Sequence, residues 1–217
     1  MPRRNRVDPW GDLVAHPARG LFTGNRGCVV DDHENVVRHH KSNLLWITCQ
    51  LEFKGWRVGL ARPNRWTPLF FLDDAVALAA GHRPCGECRR DAYAAYRDGV
   101  SAAAGAQKPF TAPELNRRLA DERLRPGRGL DRAADRKLWR ARIGTLPAGS
   151  VVLGAGAAEA GRRPSLWTGE SLRPFDFHGW GAPVSVEDGP VEVLTPPMSV
   201  AALDHGFVPV LHPTATA

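Results

Sequence analysis

The run Ala77-Leu-Ala-Ala-Gly-His-Arg-Pro-Cys85-Gly-Glu-Cys88-Arg-Arg-Asp91 restricts the fold of this chain more than any other stretch, because two cysteines three positions apart stand between two helical patterns. Across a tight turn such a pair can aim both sulfurs at one ion, and Zn²⁺ takes four such ligands in tetrahedral geometry. The chain holds only two further cysteines, so a site built from Cys28, Cys49, Cys85 and Cys88 would use every thiol. The alternative is a pair of free thiols packed beneath a helix, as buried cysteine commonly is. Upstream, Asp73 or Asp74 caps a helix over residues 75–80, and Gly81 supplies its left-handed stop. Downstream, a second helix from about Glu87 carries Tyr93 and Tyr96. The amides at its start favour thiolates and assist metal capture.

Compartment bears on how four cysteines are read. No run of 18 apolar residues occurs, and residues 1–6 lead into Val7-Asp-Pro-Trp rather than into an apolar signal segment. A cytoplasmic protein with no membrane contact is expected, and a reducing compartment argues for metal over disulfides. At 217 residues, 43% hydrophobic and 24% charged, the chain can bury a core without staples. The formal charge of +6 is concentrated: residues 114–142 carry ten Arg or Lys against five Asp or Glu. Such clustering is the footprint of nucleic-acid contact, or else a solvated helical face.

The remaining pattern divides the chain into three. Residues 1–99 read as N-terminal hairpins followed by the cysteine module. Leu13-Val-Ala and Leu21-Phe-Thr form short strands, a hairpin begins at Cys28, and a strand over 43–53 contains Cys49. Trp66-Thr-Pro-Leu-Phe-Phe-Leu72 is a further strand, with Pro68 assigning it to an edge. Residues 100–145 are a basic helical segment. Thr111, Pro113 and Glu114 give its first helix a capping box, and a second helix is expected over 130–142. Residues 146–217 break into short β-like runs, Phe207 to Leu211 among them, with a short helix at 199–203, and read as a small antiparallel β-rich unit. The fold class expected is α+β.

Arg83, Pro84, Cys85, Cys88 and Arg89, preceded by an apolar strand and an alanine-rich helix ending in glycine, resemble the zinc-binding domain of the Ada family of alkylation-repair proteins. His82 stands where that family carries an aromatic residue. Ile47-Thr-Cys49-Gln resembles the family's first cysteine strand, and Phe53 stands at its next cysteine position, so the fourth ligand falls to Cys28 or His33. The likeness covers residues 46–96 and implies an Ada-like module set within a larger bacterial protein. It further implies Zn²⁺ as cofactor, DNA as partner, a role in repair or damage response, and Cys49 as methyl acceptor if the ion's site is open. Arg83, Arg89 and Arg90 beside the cysteines, with Arg117, Arg118, Arg136 and Arg140, are the expected phosphate contacts. Two other chemistries fit the residues: a metal-dependent nuclease or hydrolase using His33, His39 and His40, and a non-enzymatic interaction module around a structural zinc.

Overall fold

The computed structural model describes residues 3–29, 44–59, 66–125, 135–154 and 162–216. Its first half is a six-stranded mixed sheet. Strands β1 (Arg4–Val7), β2 (Leu13–Ala15), β3 (Phe22–Asn25), β4 (Ile47–Cys49), β7 (Leu69–Phe71) and β8 (Arg83–Pro84) lie in the order β2-β1-β7-β3-β4-β8. Between β4 and β7 a separate ribbon, β5 (Glu52–Phe53) and β6 (Trp56–Arg57), turns at Lys54-Gly55. Leu13-Val-Ala pairs with Arg4–Val7 rather than with the strand at Phe22, because Asp8 and Gly11 close a tight turn between β1 and β2. Strand β7 sits in the interior of the sheet, not at an edge. Pro68 precedes it, so the missing N–H removes no ladder bond, and its carbonyl accepts from Asn5. Glycine is required at Gly24, where a Cβ would lie 2.1 Å from the Ile47 carbonyl oxygen of β4.

Helix α1 (Asp74–Ala79) packs against this sheet with every residue buried. Asp73 is its cap, accepting the Val76 amide at 3.0 Å, and Gly81 leaves it at φ +82°. Helix α2 (Arg90–Ala103) follows the cysteine turn, and α3 (Ala112–Arg123) starts at Thr111. There the Glu114 carboxylate accepts both the amide and the hydroxyl of Thr111 at 2.7 Å, as the capping pattern requires. The second half is a wholly antiparallel sheet in the order β13-β12-β11-β10-β14-β9: β9 (Trp139–Arg142), β10 (Val151–Leu153), β11 (Pro164–Trp167), β12 (Leu172–Asp176), β13 (Gly179–Trp180) and β14 (Pro190–Val193). Helix α4 (Pro197–Asp204) lies on α2, where Tyr96 meets the Ser199 hydroxyl at 2.9 Å. The α+β class and the antiparallel C-terminal unit are thus as the sequence indicates.

Two further expected elements differ. Residues 139–142 form strand β9 instead of ending a basic helix, because alternating Trp139 and Ala141 face the third core cluster while Arg140 and Arg142 face solvent. Residues 207–211 join no sheet. That segment crosses the start of α1: Val210 exchanges bonds with Asp74, and the amide of the next-but-one residue, His212, donates to Asp73. The main core unites the halves, with Val7, Leu13, Leu69, Phe71 and α1 packed with Val151, Leu153, Leu166, Phe175 and Trp180.

Candidate metal centre

Three of the four cysteines converge. Strand β4 runs antiparallel to β3 and parallel to the short strand β8, with Ile47 beside Arg83 and Thr48 beside Pro84. Cys49 therefore ends one strand where Cys85 leaves its neighbour, and the Cys85 amide donates to the Thr48 carbonyl at 2.9 Å. Pro84 stiffens the approach, and the Arg89 amide returns to the Cys85 carbonyl at 3.2 Å, closing the turn that brings Cys88 back. The sulfurs of Cys49, Cys85 and Cys88 all lie within 4.8 Å of one another. Zn–S bonds of about 2.3 Å set sulfurs roughly 3.8 Å apart in a tetrahedron, so small side-chain shifts suffice to close on an ion. Among the described residues no fourth Cys, His, Asp or Glu completes the group. Cys28 is described, half-buried, and stands outside it. His33, His39 and His40 lie outside the described residues.

The protons of the three thiols are shared. Cys49, 8% exposed, is pushed up because it donates to Cys85 and is buried. Cys85 is held down by accepting that bond together with the amides of Cys88 and Glu87, the latter at 3.4 Å. Burial raises Cys88, against the backbone amide bond it receives at Gln50. Without an ion the group thus favours one thiolate, and a divalent cation would have to displace the remaining protons. The soft, convergent sulfur set fits Zn²⁺ and excludes the hard, oxygen-seeking cations.

The arginines divide sharply. Arg83 is buried: its guanidinium bonds Asn116 of α3 at 2.9 Å and the Pro84 carbonyl, and stacks over Tyr93 at 5.0 Å. Arg89 is buried in a two-pronged pair with Asp74 at 2.6 and 2.7 Å, bonds the Thr48 hydroxyl at 2.8 Å, and covers the Phe22 ring at 3.9 Å. Arg136 is buried too, bonding the carbonyls of Ala79, Leu194 and Arg123. These three are therefore not phosphate contacts but parts of the scaffold, because the carboxylate and carbonyls they satisfy are themselves buried. Arg90, Arg117, Arg118 and Arg140 are exposed, with Arg118 lying over Phe110 at 4.2 Å.

Sequence reasoning missed the support around the turn. Asp74 was legible only as a second possible cap. Since one aspartate suffices to cap α1, the adjacent one is free to hold Arg89, and two acids at one helix start are the signal. The guanidiniums of Arg26 and Arg123 both lie against the Trp46 ring, at 4.2 and 3.9 Å. His82 fills the aromatic position of the motif as a neutral ring. It lies 4.7 Å from Phe71 and 5.1 Å from Trp46, is forced well below its ordinary pKa by burial and nearby arginines, and accepts from Arg26 at 3.3 Å. Among the described residues no helix is long and apolar enough to cross a membrane. Compared with protein-family models, curated proteins and solved structures, the chain finds no match.

Proposed function

We propose that Cys49, Cys85 and Cys88 hold a zinc ion and that the protein contacts nucleic acid, in the manner that the Ada-like motif suggests. The observation that carries the reading is the convergence of three sulfurs from a strand end and a neighbouring Cys-x-x-Cys turn. The exposed Arg90, Arg117, Arg118 and Arg140 and the net charge of +6 support an anionic partner. A role in DNA repair or damage response is the corresponding biological setting. The burial of Cys49 supports a structural ion over alkyl transfer to that thiol, since an attacking thiolate needs an open site.

Elemental analysis tests the metal. One zinc per chain is expected in the wild type and lost in Cys49→Ser, Cys85→Ser and Cys88→Ser. Loss in Cys28→Ser or in His33→Ala would identify a fourth ligand. No metal in protein purified without chelators would overturn the reading. If the ion is structural, chelation lowers the unfolding temperature; if it merely silences an activity in a folded protein, a hydrolytic role gains. Zinc retention should also fall with acidification, because protons compete for Cys49 and Cys88, whose pKa values are raised.

A further inference from the structure

The ribbon that follows Cys49 has an unusual surface. Its two-residue turn, Lys54-Gly55, has φ of +51° and +76°, the paired positive angles of the tight hairpin turn that matches strand twist. That turn places Phe53 directly opposite Trp56, and Glu52 opposite Arg57. The Trp66 ring lies 6.3 Å from that of Trp56 at 48°. Both indoles are 55% exposed and belong to none of the three core clusters. A large aromatic ring left in water is unfavourable unless something covers it. Cations accompany the rings: Lys54 reaches over Phe53 at 5.1 Å, and exposed Arg57 pairs with Glu52 at 2.9 Å. Exposed Leu51 extends the apolar floor at the ribbon's base.

We infer that Trp56 and Trp66, with Lys54 and Arg57, form a stacking platform for single-stranded nucleic acid. Flat exposed rings interleaved with cations are the chemistry that takes unpaired bases and their phosphates without reading sequence. A duplex hides its base faces and offers the platform nothing to stack on. The inference rests on the nucleic-acid part of the function proposed above and gives it a location and a substrate class. The ribbon begins three residues after Cys49, so the zinc site would anchor its base.

The test is fluorescence anisotropy of a labelled oligothymidylate, with a blunt duplex of equal length in parallel, on the zinc-loaded full chain. The single strand should bind more tightly than the duplex, and its affinity should fall with added salt. Each Trp→Ala change should weaken it about tenfold, and W56A/W66A roughly a hundredfold. W56F/W66F, which keeps aromatic faces, should retain most of the affinity. Unchanged zinc content and circular dichroism in each variant separate loss of contact from loss of fold. Wild-type binding that W56A/W66A leaves intact overturns the platform while sparing the nucleic-acid reading. Preference for the duplex overturns the substrate class. Absence of any oligonucleotide binding overturns both readings and leaves the zinc assay to judge the metal alone.

Discussion

The two ends of α1 are both buried and both charged, yet they are held in different ways. At the N-terminal end the charges are carboxylates. Asp73 collects the amides of Val76 and His212 and the Trp180 indole N–H at 2.6 Å, while Asp74 pairs with Arg89. At the C-terminal end they are guanidiniums aimed at backbone: Arg136 bonds the Ala79 carbonyl and Arg123 the Gly81 carbonyl at 3.2 Å. Each sign follows the helix dipole, and each group satisfies backbone atoms that a buried helix end leaves without a partner. The first end reaches the cysteine turn through the Arg89 side chain, whereas the second leads into it only through the backbone of residues 81–84. The difference separates charges that position the metal centre from charges that only make a buried helix possible.

Removing Arg136 should have the largest effect. Arg136→Ala removes the guanidinium from three buried carbonyls, of which that of Arg123 keeps the Lys137 amide, and should cost about 3–5 kcal/mol in denaturant unfolding, with zinc content unchanged in the folded fraction. At the other end, Asp74→Ala leaves the Arg89 charge buried and uncompensated, at about 3 kcal/mol. Because Arg89 also ties Thr48 to the cysteine turn, zinc affinity should fall with it. The double change Asp74→Leu with Arg89→Met sharpens the contrast, since an apolar pair of similar volume restores most of the stability, less the bond that the Val210 amide makes to Asp74. Zinc affinity that stays low in this double variant means the ion pair positions the turn; zinc affinity that recovers with stability means it does not.

A smaller effect is expected at Asp8, a carboxylate whose charge acts on Arg26 and Arg136 near the C-terminal end. Burial and the neighbouring Asp12 push it up to about 7, against the attraction of Arg26. Its folded pKa therefore exceeds the unfolded one. Between about pH 4 and 7 the native state holds a proton that the unfolded chain has lost, so stability declines across that window as pH rises. Asp8→Asn should flatten the decline and raise stability at pH 8 by on the order of 1 kcal/mol, read from unfolding curves at several pH values. Smallest is the effect of Arg117→Ala or Arg118→Ala on stability, within about 0.5 kcal/mol. Each should instead lower the salt dependence of oligonucleotide binding by about one charge if it meets a phosphate.

The cysteine turn was legible because its signals are local: an N-cap aspartate, a stop glycine, a proline before Cys85 and a capping box at Thr111 each act within a few residues. Cys49 was legible by analogy with a motif, though nothing in its own stretch says which strand it adjoins. The arginines were misjudged for a physical reason. A guanidinium reads the same in sequence whether it meets a phosphate or a buried carbonyl, and the carbonyls of α1 become acceptors only once the helix is enclosed. Arg83, Arg89 and Arg136 are expected from sequence to contact phosphates, and their burial reverses that expectation.

What this sequence determined unaided was therefore short-range: the α+β alternation, the ends of α1 and the start of α3, and two sulfurs three residues apart. Tertiary structure decided what lies far apart in the chain. It set Cys49 beside Cys85 through a parallel β4–β8 contact, drew residues 207–212 across the start of α1, and turned 139–142 from a basic helix into a strand. Backbone propensity and capping act over one turn of chain, whereas donors, acceptors and charges find partners only when the core closes around them.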